Sequence, residues 1–245
     1  MAYQGGKGRV KGKILPVLNH PLLNGWEYAE LGCGMLHIGA FVTNKHSYHF
    51  LDLSLRLVTL HRAIQRWGTD ILPSFVSKER YMTLKAQDGN DLESAAAAYL
   101  YSYEGKEWGG YAPQDNGKCS ARSRMAHLET LHQSETFRRA TIECASIFDS
   151  DLCPTNMLIY VDPPYEGTAR YRVNKGAPFD HAAYWERARK WSQDNIVLTS
   201  ELAAPPDFLS ILSYTTRGRE EHLFVWARTP WRYMEILYQI VEEVL

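Results

Sequence analysis

The chain is poor in cysteine: Cys33, Cys119, Cys144 and Cys153 form no Cys-x-x-Cys pair and have no regular spacing. That spacing suggests neither a disulfide framework nor a zinc site. Also missing is any apolar run near the roughly 20 residues needed to cross a bilayer, and the N-terminus has no apolar stretch of signal-peptide length. A cytoplasmic, reducing setting without membrane or metal is the expectation. Charge excess is absent too, with 27 Lys plus Arg against 28 Asp plus Glu and a formal net charge of -1. Such a balance argues against coating nucleic acid by bulk charge, although a local basic patch can hide inside a neutral total.

With 245 residues, 45% apolar and 22% charged, the chain has the composition of a globular protein of one α/β domain, or of one domain carrying a small insertion. Its charges are unevenly spread. Met1 to Gly25 holds Lys7, Arg9, Lys11 and Lys13 and no acid. Two further acid-free windows carry Lys118, Arg122 and Arg124 (116–128) and Arg170, Arg172 and Lys175 (167–179). One such window is most simply a solvated face, whereas three together point towards a polyanion.

Hydrophobic spacing alternates between strand-like and helical. Tyr48 to Leu51 reads as a strand end, followed by an amphipathic stripe of Leu53, Leu57, Leu60 and Ile64 that Trp67-Gly68 terminates. Leu158 to Val161, Ile196 to Thr199 and His222 to Trp226 read as further strands. Between the first two of these, Asp180 caps a helix with Tyr184, Ala188 and Trp191 on one side. The tail from Thr229, with Pro230 at a first helical position, reads as an amphipathic helix that packs on the body, with a dimer contact as the alternative. Alternation of this kind predicts a mostly parallel sheet covered on both faces. Gly105 to Gln133 breaks the rhythm with Trp108, Gly109, Gly110 and Tyr111, and reads as a recognition insertion or a plain surface loop.

Asp162-Pro163-Pro164-Tyr165 follows the strand Leu158 to Val161 directly. Residues just past a strand of an open α/β sheet face the ligand crevice. Two prolines stiffen the turn and remove backbone donors, leaving carbonyl oxygens, a carboxylate and an aromatic ring. That set suits an exocyclic amine: Asp162 and the Pro163 carbonyl each accept one N–H, and Tyr165 stacks on the ring that bears it. A strand-ending proline turn with a buried tyrosine has the same composition. The histidines offer little, since His46 and His49 are not at an i,i+4 spacing and have no acidic or thiol partners nearby.

The tetrapeptide resembles the catalytic motif of amino-methyltransferases, and its Asp form that of adenine-N6 DNA methyltransferases. Further segments resemble the Dam-like, phage or bacterial type of that family in the order it uses. They are Tyr3-Gln4-Gly5-Gly6-Lys7, the cofactor loop Glu30 to Leu36, Asp52-Leu53-Ser54, and Tyr103 to Ala112. Gly167-Thr168-x-x-Tyr171, Phe179-Asp180-x-x-x-x-Trp185 and Thr199-Ser200-Glu201 with Pro205 continue the match over roughly residues 1–228. Leu31, Gly32 and Leu36 depart from the family's proline, phenylalanine and last glycine; Glu30 and Gly34 keep register, and Gly32 with Gly34 is an alternative glycine pair.

The resemblance implies a Rossmann-like class I fold and S-adenosyl-L-methionine as cofactor, with S-adenosyl-L-homocysteine as product. It assigns the catalytic turn to Asp162, Pro163, Pro164 and Tyr165. Cofactor contacts fall to Tyr3, Gly5, Gly6, Lys7, Glu30, Gly32, Gly34, Asp52, Phe148 and Asp162. Asp52 would accept the ribose hydroxyls and Phe148 would stack on the adenine. The implied partner is double-stranded DNA, with Lys118, Arg122, Arg124, Trp108 and Tyr111 as candidate contacts. Residues 1–104 and 136–228 form the expected catalytic body, 105–135 the target-recognition insertion and 229–245 the C-terminal helix, in a monomer or weak dimer. A silent DNA-binding relative, cytosine-N4 methylation and RNA as substrate stay open.

Overall fold

The computed structural model describes residues 6–112, 121–148, 155–167, 179–216 and 218–244. Its strands are β1 (Glu27–Leu31), β2 (Ser47–Asp52), β3 (Thr141–Cys144), β4 (Met157–Val161), β5 (Ile196–Glu201), β6 (Phe208–Thr216) and β7 (Arg219–Trp226). They form one seven-stranded sheet in the order β3-β2-β1-β4-β5-β7-β6. The first five run parallel, and β7 enters antiparallel between β5 and β6. This is the Rossmann-like α/β class expected from the sequence. β4 is buried at all its positions, as a central strand covered on both faces must be, which is why it reads as a continuous apolar run.

The helices are α1 (Lys11–Leu18), α2 (Leu55–Trp67), α3 (Lys78–Gln87), α4 (Leu92–Leu100), α5 (Ala121–Gln133), α6 (Glu135–Arg139), α7 (His181–Trp191) and α8 (Trp231–Val244). Ser54 caps α2 by accepting from Leu57 N–H, and Gly68 ends it at φ +76°. Leu57, Leu60 and Ile64 are buried, while Leu53 precedes the helix and is exposed. Asp180 caps α7 through Ala183 N–H, and Tyr184, Ala188 and Trp191 are buried beneath it. α8 buries Tyr233, Met234, Leu237 and Ile240. The Tyr233 hydroxyl lies 2.8 Å from Asn156 Oδ1 and 2.9 Å from the Asp194 carbonyl, so the tail is packed on the body.

Two apolar clusters cover the sheet. The larger includes Tyr28, Phe50, Leu158 and Tyr160 with residues of α2, α4 and α5; the smaller gathers Ala29, Leu31, Ile159 and Val161 with α7. One correction follows for the segment 105–135. Its described helix α5 buries Ala121, Arg124, Leu128 and Leu131, so that part shares the core of the main body rather than standing apart as an insertion. No helix among the described residues is long and apolar enough to cross a membrane, and no group of His, Cys, Asp or Glu among them is arranged to hold a metal ion.

Candidate active site

After β1 the chain moves outward through β2 and β3, and after β4 it moves the other way to β5. The crevice between the carboxyl ends of β1 and β4 is therefore the topological switch point, where open α/β sheets bind ligands. Here the glycine loop and the proline turn meet. Asp162 N–H donates to the Leu31 carbonyl at 3.2 Å. Gly32 has φ +70°, and a Cβ there would lie 2.8 Å from the Asp162 carbonyl oxygen. Only glycine accepts both the backbone angle and the contact.

Asp162 is paired. Lys7 Nζ lies 2.6 Å from its Oδ1, with the lysine 6% exposed. The same ammonium is 3.7 Å from Glu221 Oε2 on β7 and 4.5 Å from the centroid of the Tyr165 ring. Tyr165 in turn donates its hydroxyl to Glu221 Oε2 at 2.9 Å. Lys7 thus spans the proline turn and the hairpin strand. Burial pushes the Asp162 carboxyl above the ordinary carboxylate range, and the Lys7 charge opposes that rise.

Acids crowd this point. Glu30, at the end of β1, is 3% exposed and accepts from Tyr28 Oη at 3.3 Å; burial and then the Asp162 charge raise its pKa. Glu201, at the end of β5, is buried with Oε2 lacking a hydrogen-bond partner, and burial pushes its pKa up to about 8. Ser200 beside it joins Tyr160 (3.1 Å) to Tyr214 of β6 (2.8 Å).

On the other side of the switch point, Gly34 N–H donates to Asp52 Oδ2 at 3.0 Å and Ser54 N–H to Oδ1 at 2.8 Å. Gly34 has φ +49° and Leu36 φ +53°. Leu36 thus has a left-handed backbone, which is uncommon for an L-residue. Two histidines hold this loop from behind. His61 of α2 donates Nε2–H to the Gly34 carbonyl at 2.7 Å, and His127 of α5 donates to the Met35 carbonyl at 2.8 Å. Burial drives the His61 pKa down to about 4, so at neutral pH it is a neutral donor. His37 stacks on His127 with ring centroids 4.7 Å apart, and burial lowers its pKa to about 3.

Phe148 lies past β3, beside Phe179 at 5.4 Å between centroids; Ala145 N–H bonds the Asp52 carbonyl at 3.1 Å, which ties its loop to the end of β2. Gly6 is exposed and precedes Lys7 at the site. Tyr3, Gly5 and Lys118 lie outside the described residues, as do Arg170, Arg172 and Lys175.

Two of the expected DNA contacts are corrected. Arg124 is 0% exposed and gives its guanidinium to the Leu100 carbonyl. Trp108 is 3% exposed, set edge-on to Tyr81 at 5.2 Å and beneath Arg56 at 5.3 Å. Neither side chain can reach a nucleic acid from inside the core. Tyr111 is half-buried, with its hydroxyl donating to the Val76 carbonyl at 2.9 Å. Arg122 is exposed.

Sequence reading left out Glu221, Tyr214, His61 and His127. No local signal could single them out, because each reaches the site from an element distant in sequence.

A nucleoside-bearing cofactor fits this donor set. Asp52 has spent one acceptor site of each oxygen on backbone N–H groups and keeps further lone pairs for a diol. The Gly32 backbone admits close approach where a Cβ would collide.

No protein-family model and no curated protein matches the chain. Solved structures that it resembles include the rRNA methyltransferase aviRa from Streptomyces viridochromogenes, with 10% identity and TM-score 0.42, covering 98% of this chain and 88% of that one. Another is the proposed methyltransferase yhhF from Escherichia coli, with 9% identity and TM-score 0.40, covering 89% of this chain and 84% of that one. A third is the proposed methylase HI0767 from Haemophilus influenzae, with 15% identity and TM-score 0.37, covering 89% and 98%.

Proposed function

We propose that the chain is an S-adenosylmethionine-dependent methyltransferase acting on N6 of an adenine rotated out of duplex DNA. The observation that carries this reading is the meeting of Asp162-Pro163-Pro164-Tyr165 with Gly32 at the switch point of the sheet. Gly32, Gly34, Asp52 and Phe148 would hold the cofactor, which supplies an electrophilic methyl group on a sulfonium.

The chain's own residues have three tasks. Asp162 and the Pro163 carbonyl each accept one N–H of the target amine and so aim its lone pair, a positioning contribution rather than covalent catalysis. Tyr165 receives the base, whose removal from the duplex costs roughly a few kcal/mol; its hydroxyl stays on Glu221. Lys7 must release Asp162 Oδ1 for the amine, and Glu221 Oε2 offers that ammonium a second carboxylate 3.7 Å away. Among the described residues, Arg122 is the expected DNA contact that stays exposed.

Radiolabel from the cofactor should appear in adenine-containing DNA, and Asp162→Ala should abolish it while circular dichroism stays unchanged. Retained transfer in that variant would remove Asp162 from the role. Nucleoside analysis separates N6-methyladenine from N4-methylcytosine, and an RNA arm reports the nucleic acid used. The Lys7–Asp162 pair also supports a second reading, a silent DNA-binding relative in which the amine acceptor stays closed. Calorimetry decides for that reading if S-adenosylmethionine gives no heat and no thermal shift.

A further inference from the structure

A cavity of about 520 Å³ opens at the amino end of β2, lined by Thr43, Lys45, Tyr48, Gln133, Glu135 and Arg139 among others. Its volume falls in the roughly 300–1,000 Å³ range of small-molecule sites. Asp52 lies at the other end of the same strand, seven positions on from Lys45 and roughly 20 Å away. This cavity is distinct from the switch-point crevice.

Lys45 is 4% exposed. Among the described residues its ammonium makes one hydrogen bond, to the Thr43 carbonyl at 3.2 Å, and no carboxylate of theirs pairs with it. An ammonium has three donors, so two N–H groups of this buried cation lack an acceptor among the described residues. Such an arrangement favours acceptors in the cavity, and an anion offers both the acceptors and the opposing charge. Burial alone lowers the Lys45 pKa to about 8, and no neighbouring acid contributes.

The rest of the lining also favours an acceptor-rich ligand. Tyr48 Oη accepts from Lys45 N–H at 3.1 Å, and that leaves its own proton to donate. Arg139 brings a second cation to the residue beside Lys45, reaching the His46 carbonyl at 3.5 Å. Glu135 is the acid in the lining; it is 75% exposed and sits 3.3 Å from Arg139, on the solvent side.

We propose that this cavity binds a small phosphate-bearing anion, held between the Lys45 ammonium and the Arg139 guanidinium with the Tyr48 hydroxyl as a neutral donor. The volume exceeds a bare phosphate, so a phosphomonoester of metabolite size fits better than the free ion.

Thermal unfolding of the full chain, titrated separately with inorganic phosphate, ribose 5-phosphate and a short DNA duplex, tests this. A saturable rise in Tm is expected with either small anion, larger with the ester, because a ligand that binds only the folded state stabilises it by mass action. Lys45→Met should raise the ligand-free Tm, since it removes an unpaired buried charge, and should lose the phosphate response. Arg139→Gln leaves the buried lysine intact and should weaken the response several-fold. NMR titration of the Lys45 side chain should show its midpoint move up when phosphate is added. Absence of a saturable shift, or an equal shift in Lys45→Met, overturns the proposal. A Lys45-dependent shift with the duplex alone overturns it in favour of a nucleic-acid backbone contact.

Discussion

At the scale of single residues, the candidate site depends on positions where one atom decides. Gly32 has a left-handed φ, and the space a Cβ would need is taken by the Asp162 carbonyl oxygen at 2.8 Å. Gly32→Ala should destabilise the fold by about 2 kcal/mol or more and displace the Asp162 turn, as read by urea unfolding together with S-adenosylmethionine calorimetry. An unchanged unfolding midpoint would show that the loop relaxes away from the turn. Glu221 is the residue to test for handling of Lys7. In Glu221→Gln the amide still accepts from Tyr165, but it no longer offers Lys7 a negative alternative to Asp162. Methyl transfer should fall about 10- to 100-fold, the range of one charged hydrogen bond, with the loss in kcat exceeding that in KM. Unchanged kcat would mean that Lys7 does not pass to Glu221. The Asp162–Tyr165 turn and the glycines of the β1 loop stand in the sequence within short motifs; Glu221 does not, because only the hairpin brings it to Tyr165.

Among the elements, the helices between β2 and β3 prop the glycine loop after β1. Arg56, in the first turn of α2, is 5% exposed. It bonds the Asp88 and Gly89 carbonyls at 3.0 and 2.8 Å, pairs with the Asp88 carboxylate at 3.0 Å and also pairs with Glu107. The segment Tyr103 to Ala112 is thereby fastened to α2 and to the α3–α4 turn. Removing one partner of a buried ion pair leaves the other uncompensated, so Arg56→Ala should cost about 3–5 kcal/mol in urea unfolding. A cost below 1 kcal/mol would mean that Glu107 finds solvent instead. Sequence periodicity found α2, α7 and α8 because their buried stripes recur at helical spacing. It missed how α5 is used, because Arg124 and His127 are polar residues whose burial is stabilised by carbonyl acceptors on distant segments.

For the whole molecule, the notable feature is the concentration of acids at one end of the sheet. Glu201 keeps its proton up to about pH 8 in the folded chain, whereas a free glutamic acid loses it near about 4.3. Between those values the folded state holds a proton that the unfolded state has released. The stability from this group is therefore full below about pH 4.3 and is lost as pH rises through about 8. Glu201→Gln should match the wild type in acid, gain on it steadily as pH rises, and level off above pH 8; urea unfolding along a pH series checks this. A difference that is flat with pH would mean that the carboxyl finds a partner when it ionises. His61 and His37 act on the acid side with the opposite sign, because their pKa values of about 4 and 3 lie below the unfolded value. Their contribution is complete above about pH 6.5 and is lost as pH falls towards those values.

The near-neutral charge and sparse cysteine set broad bounds, and the ordered motifs with their strand and helix periodicities determined the fold class and placed the Asp162–Tyr165 proline turn directly after a central strand. Those signals are local: alternation, helical spacing and short motifs are written along the chain and survive without knowledge of contacts. Only the tertiary structure decided which cations are available. Lys7 turns inward to Asp162, Arg124 is sealed beneath α4, and Arg9 stays exposed. It also decided that Glu221, His61 and His127 join the candidate site, and that Lys45 is buried without a carboxylate among the described residues. The physical reason is the same in each case: a polar side chain's role depends on its burial and its partner, and both are supplied by segments far away in sequence.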